Sequence, residues 1–205
     1  MKHEGYSCAN NWNYVALSLI IVISLSLAIL YSPDVKEFDV NLLETIRAFF
    51  VQYPLSIPNT IADFGRANYL LWPQIAACSA LVSHKKYFKA FLLVFMMQTA
   101  KLVTGFMKEF ICRERPSAYD GYSFPSEHVL ATMCFYGILI YLVHYYVANK
   151  FWRYFLITVF GLFIILVSLS KLWLNIHYPI DVTAGLLIGL ALVNLYIIIC
   201  KIMNN

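Results

Sequence analysis

Apolar runs of about twenty residues recur along this chain, and no other feature constrains its fold as strongly. They cover residues 13–32, 69–83, 88–107, 129–148, 154–171 and 179–200. A helix of roughly 20 apolar residues spans the hydrocarbon core of a bilayer. Each backbone N–H and C=O at that depth must be satisfied within the protein, which a helix does inside a single segment. Composition agrees, since 61% of the residues are hydrophobic and only 13% are charged, far from the balance of soluble domains. The chain therefore reads as an all-α, polytopic membrane bundle of about six transmembrane helices plus an interfacial helix. Little chain lies between the runs, so residues 1–205 are expected to form a single domain.

The first run is longer than the apolar stretch of a signal peptide, and no small-residue cleavage site follows it before "YSPDVKEFD". It is expected to stay as the first helix. Cys8, Cys78, Cys112, Cys134 and Cys200 show no paired spacing, so they read as packing residues and not as disulfides or metal ligands. The net charge of +4 is spread along the chain without a basic tail or stripe. Nothing here calls for a nucleic-acid partner, and no signal speaks to oligomeric state.

Basic residues sort to one side of the expected spans: Lys2, Lys85, Lys86, Lys89, Lys150, Arg153 and Lys201, with Glu4 the only acid among them. The positive-inside rule makes that side cytoplasmic, and the expected location is the inner (plasma) membrane. Segment 33–68 then lies outside. Within it "VNLLETIRAFFV" has helical apolar spacing suited to the bilayer surface. The loops 108–128 and 171–178 emerge on the same outer face. They are rich in Lys, Arg and His, against the orientation bias, which suggests a functional reason.

Those two loops hold Lys108, Arg115, Pro116, Pro125, Ser126 and His128, then Ser170, Lys171, His177 and Asp181. Cations with two histidines and a carboxylate suit a phosphoryl group, whose charge spreads over its oxygens in the transition state. Arg115 can bind it through two nitrogens, while Lys108 and Lys171 act as point charges. Pro125 and Pro179 sit where helices should begin, and free amides at such N-termini hold anions. The amides near Ser126 and Glu127 and the Ser126 hydroxyl are thus candidate phosphate donors. Asp181, in a first turn, can reach back and fix the tautomer of His177, leaving the other ring nitrogen to attack phosphorus. His128 would protonate the leaving oxygen. No acid cluster suited to magnesium and no Cys/His set suited to zinc accompanies these residues, so no cofactor is expected.

The strings "KEFICRERP" (108–116), "PSEH" (125–128) and "SKLWLNIHYPID" (170–181) resemble the three-part signature K-x6-R-P, P-S-G-H, S-R-x5-H-x3-D. That signature belongs to the type-2 phosphatidic acid phosphatase and vanadium haloperoxidase superfamily. The first string matches in full, the second at three of four positions and the third at all but one. The helix pattern around them looks like the membrane lipid phosphatase branch. The resemblance implies metal-free dephosphorylation of a lipid through a phosphohistidine on His177, assisted by Asp181, with His128 as acid. Lys108, Arg115, Ser126, Lys171 and the amide of Glu127 would bind the phosphate.

Two departures stand out. Glu127 replaces the family's glycine and brings a carboxylate to an anion site; acidic residues here resemble the "FPSDH" form of the undecaprenyl pyrophosphate phosphatase branch. Lys171 replaces an arginine, keeping the charge and losing the planar fork. Lys101, about two turns before Lys108 on the same helical face, is a candidate second-phosphate contact or a snorkelling lysine. Arg113 and Glu114 read as solvated loop charges, and Trp72, Trp152 and Trp173 as an interfacial belt. The expected substrate is a lipid phosphate, among which undecaprenyl pyrophosphate, phosphatidylglycerol phosphate, phosphatidic acid and a lipid A phosphate stay open. A phosphotransferase using the same phosphohistidine is the alternative. A small transporter or non-catalytic membrane protein fits less well, because the polar cluster lies at one face and no internal repeat is seen.

Overall fold

A computed structural model describes residues 8–65 and 67–203. Lys2, Glu4 and Arg66 of the charge pattern, and the side chain of Cys8, lie outside it. The described residues form eight helices: α1 Cys8–Tyr31, α2 Pro33–Phe50, α3 Ser56–Asp63, α4 Ala67–Ser83, α5 Tyr87–Ile111, α6 Glu127–Tyr146, α7 Lys150–Trp173 and α8 Pro179–Ile202. Five are long and apolar enough to cross a membrane, within α1, α5, α6, α7 and α8. The sixth expected span is present as α4, but with 17 residues and Pro73 inside it it is only about 26 Å long, just short of a typical hydrocarbon core.

Several helices depart from the expected boundaries. The surface helix begins at Pro33, a turn or more before "VNLLETIRAFFV". Ser32 caps it by accepting from the Val35 amide at 3.4 Å, Pro33 is pre-set for a first turn and Asp34 suits its positive end. Helix α3 was not anticipated at all. At the other ends, α5 runs on through Lys108 and α7 through Lys171, so both lysines project from last helical turns and not from loops.

Helices α6 and α8 form the inner pair and run parallel, starting at the same end of the bundle. Their approach is fixed by glycine. A Cβ on Gly185 would lie 2.8 Å from the Ser126 carbonyl, one on Gly189 would lie 2.7 Å from Met133 and one on Gly137 would lie 2.6 Å from Val193. Lipid is as apolar as leucine, so helices in a bilayer associate through such close packing and through polar contacts. Around this seam Leu130, Phe135 and Ile138 of α6 pack with Leu192 and Tyr196 of α8 and Leu93 of α5. Helix α1 is tied on by a polar ladder, in which Asn11 donates to Asn194 Oδ1 at 2.7 Å and accepts from Lys201 Nζ at 2.8 Å.

Some assignments change with packing. Lys89 is buried and donates to the Tyr146 hydroxyl at 2.9 Å, so it is not a loop charge. Trp72 and Trp152 are exposed, whereas Trp173 stacks on Phe50 at 4.7 Å and docks the end of α2 onto α7. Cys78, Cys112, Cys134 and Cys200 are free thiols.

Candidate active site

The segments that follow α5 and α7 meet over the N-termini of α6 and α8. Arg115 stitches them, its Nε donating to the Gly121 carbonyl at 3.1 Å and its Nη1 to the Ile176 carbonyl at 3.0 Å. The Ser126 amide donates to the Asp181 carbonyl at 3.0 Å, which locks the first turn of α6 to that of α8. That amide is therefore already used and is not a phosphate donor. Helix α6 also starts at Glu127 with Ser126 as its cap, so Pro125 lies ahead of the helix and not in its first turn. Pro179 does open α8 as expected.

His177 sits in this junction, 1% exposed. Its Nε2 lies 3.2 Å from Arg115 Nη1. Arginine only donates, so Nε2 must present its lone pair and the ring proton belongs on Nδ1. Nδ1 faces Asp181 Oδ2 at 3.6 Å, an ion-pair separation longer than a hydrogen bond. The Tyr178 amide holds the same oxygen at 2.9 Å. Burial pushes the pKa of His177 below its ordinary 6.5, with Arg115 and Lys171 pushing the same way and Asp181 opposing them. At neutral pH the ring is an uncharged base whose Nε2 lone pair faces Arg115.

Arg113 overturns its reading as a solvated charge. Only 8% of its side chain is exposed, and it bridges two buried carboxylates, Asp181 Oδ1 at 2.7 Å and Asp39 Oδ2 at 2.8 Å. Its guanidinium also stacks over the Tyr178 ring at 4.0 Å. The sequence held a signal for this. In an extended segment, residues two apart face the same side, and in "CRERP" Arg113 and Arg115 both turn inward while Glu114 stays exposed. Glu114 thus keeps its solvated reading. Asp39, on α2, had no signal beyond being an acid on a surface helix.

The remaining candidates gather less uniformly. Lys108 pairs with Glu127 at 3.0 Å. Ser126 is buried, and among the described residues its hydroxyl has no hydrogen-bond partner. Lys171 is buried at 2% exposure, close enough to lower the basicity of His177. His128, half-buried at the start of α6, lies against the turn at Gly65, where a Cβ would come 3.3 Å from its own. Lys101 is exposed on α5, and among the described residues no hydrogen bond or ion pair joins it to the cluster. A cavity of about 460 Å³ opens beside Arg115, lined also by Glu114, Ser117, Tyr119, Gly121 and Tyr122. A second, of about 370 Å³, is lined by the apolar Ile29, Val40 and Ile111 and by Lys36, Arg113 and Tyr178.

Buried cations around a neutral histidine backed by a carboxylate are the kinds of group that phosphoryl transfer calls for. Residues 89–202 match the PAP2 superfamily, more than half of the chain, and the chain belongs to that family. It is 24% identical over 188 residues to phosphatidylglycerophosphatase B of Bacillus subtilis (strain 168), covering 87% of this chain and 91% of that one. Its fold is that of a solved transmembrane PAP2-type phosphatidylglycerolphosphate phosphatase from Bacillus subtilis, with TM-score 0.83, 21% identity and coverage of 92% and 96% of the two chains. It is also similar to LpxE of Aquifex aeolicus, with TM-score 0.61, 19% identity and coverage of 77% and 93%. The protein is a multi-pass membrane phosphatase of the lipid-phosphate type.

Proposed function

We propose that this phosphatase takes phosphate from a lipid through a phosphohistidine on Nε2 of His177, without an added metal. The observation that carries the reading is the contact between Arg115 Nη1 and Nε2 at 3.2 Å, which puts the ring proton on Nδ1 and aims the Nε2 lone pair at a cation that a bound phosphate would draw to itself, freeing the nitrogen to attack. In the first step the lone pair forms an N–P bond while the ester P–O bond breaks, and the leaving oxygen takes a proton from His128. In the second, water attacks phosphorus and gives its proton to the now neutral His128, while the N–P electrons return to the ring. Attack by a lipid hydroxyl instead would make the enzyme a phosphotransferase. Arg115, Lys108, Lys171, the Ser126 hydroxyl and the amide of Glu127 hold the phosphoryl oxygens, while Asp181 keeps the ring in its Nδ1–H form.

The substrate we favour carries two phosphate groups. Glu127 competes for Lys108, and a second phosphate supplies more charge to displace it. Undecaprenyl pyrophosphate meets that condition; so does phosphatidylglycerophosphate, which the names of two relatives favour. Phosphatidic acid does not. The exposed position of Lys101 weakens its role as a second-phosphate contact. The half-apolar cavity next to Arg113 supports a lipid approaching from between α1 and α2. The basic residues at the opposite ends of the helices support a site on the extracytoplasmic face of the plasma membrane. Helices α1 and α2, outside the family match, contribute to the core and site, which supports one functional unit over residues 1–205.

The test is phosphate release by purified protein in detergent with EDTA, across a panel of these lipids. Metal-free release, faster from the two-phosphate lipids, is expected. A strict magnesium requirement would rule the mechanism out.

A further inference from the structure

We propose that Asp39, on α2 and outside the stretch that matches the family, is a positioning residue that sets the charge balance of the His177–Asp181 pair through Arg113. The inference rests on His177 being the nucleophile. Asp39 is completely buried while its neighbours Phe38 and Val40 are 63% and 37% exposed, so one acid turns inward from an otherwise exposed stretch of a surface helix. Its Oδ1 accepts from the Ile180 amide at 3.0 Å and its Oδ2 from Arg113 at 2.8 Å. Ile180 lies in the first turn of α8, where amides lack partners within their own helix. Asp39 therefore caps, from another element, the helix that carries Asp181, and a negative charge suits that end.

The same contacts fix the charge. Two buried carboxylates, Asp39 and Asp181, share one guanidinium, so this trio carries a net negative charge on the Nδ1 side of His177, facing the cations Arg115 and Lys171. When Nε2 takes the phosphoryl group with Nδ1 still protonated, the ring becomes cationic, and this charge balances it. If Asp39 were neutral, Arg113 would neutralise Asp181 alone and the cationic ring would lose its counter-charge. Both oxygens of Asp39 accept hydrogen bonds, as its ionised form requires, even though burial pushes its pKa above the ordinary carboxylate value. The other charged groups at the junction are Lys171 from α7, Arg115 from the loop and Glu127 from α6, whose charge reaches Arg115. The hydrogen bonds of Asp39 run to Arg113 and Ile180.

The experiment uses the full chain in detergent with short-chain phosphatidic acid as probe, comparing wild type with Asp39→Asn and Asp39→Glu. Asparagine keeps the size and an acceptor for Ile180 but removes the charge. We expect its kcat to fall roughly tenfold with KM within about twofold, and the acidic limb of kcat/KM to move down by about 0.5 to 1 unit, because a lost negative charge makes the ring less basic. The substrate's own ionisation is common to both proteins and drops out of the shift. Asp39→Glu should keep the wild-type limb. An unmoved limb in folded Asp39→Asn, with or without a loss of kcat, overturns the proposal. If asparagine prevents folding, Asp39→Ser, which leaves room for water on Arg113, is read in the same way; failure of both to fold also overturns it, by making Asp39 a residue of the fold alone. His177→Ala is the control for the underlying reading. Residual turnover there sinks the nucleophile assignment, whereas a dead His177→Ala beside an unaltered Asp39→Asn sinks this inference only.

Discussion

Lys108 Nζ and Glu127 Oε2 lie 3.0 Å apart, so the lysine offered to a phosphoryl group is already paired with a carboxylate from the first residue of α6. Phosphate and Glu127 then compete for one cation. Both side chains are partly exposed, 19% and 44%, so solvent screens the pair and exchange is easy. Glu127→Gln should lower KM for phosphatidic acid by roughly threefold or more with kcat little changed, and should lower it less for a lipid with two phosphates. Steady-state kinetics on both substrates checks this; a raised KM would show that Glu127 assists binding.

The pH dependence follows from the same cluster. His177 must be neutral to attack, and burial with Arg115 and Lys171 holds its pKa below 6.5. Activity should therefore persist below pH 6.5 and fall only as the ring protonates at lower pH. In Lys171→Met one cation is gone, the ring becomes more basic, and the acidic limb should move up. An unmoved limb would place Lys171 away from the ring.

Packing supplies a third expectation. Gly185→Ala would push a Cβ to 2.8 Å from the Ser126 carbonyl, a backbone atom that cannot swing away, whereas nothing lies within 4 Å of a Cβ on Gly161. Gly185→Ala should cost about 1 to 3 kcal/mol of stability and reduce activity, because the displaced turn carries Ser126 and Glu127. Gly161→Ala should be neutral or mildly stabilising. Thermal melts and turnover of the two variants make the comparison.

Much of this was legible in the sequence, and the misses have physical causes. Apolar length gave the long helices because a bilayer imposes it. The motif residues His177, Asp181, Arg115 and Lys171 stand out in the sequence because phosphate chemistry uses those types near helix ends, and the fold brings them together. Arg113 was misread because a charge in a loop is usually solvated; only its tertiary partners Asp39 and Asp181 reveal otherwise. Asp39 was invisible because helical periodicity says which face is polar, not which polar residue is buried. Lys101 shares the spacing of Lys108 but not its burial, since only the end of α5 reaches the site.

Orientation has its own check. Single cysteines placed at Ser117 and Asn175, in a background free of the native cysteines, should react with membrane-impermeant thiol reagents in intact cells, while one at Lys85 should not. Labelling at Lys85 alone would put the site on the cytoplasmic face and change which lipids can reach it.

The covalent intermediate is the most direct test of the whole account. Purified wild-type protein mixed with lipid carrying labelled phosphate and quenched in alkali, where phosphohistidine survives, should yield one labelled peptide containing His177. His177→Ala should give none, and His128→Ala should still label with an activated aryl phosphate, whose leaving group needs no proton. Label on any other residue, or a phosphoenzyme that persists in His177→Ala, would contradict the assignment of His177 as the nucleophile.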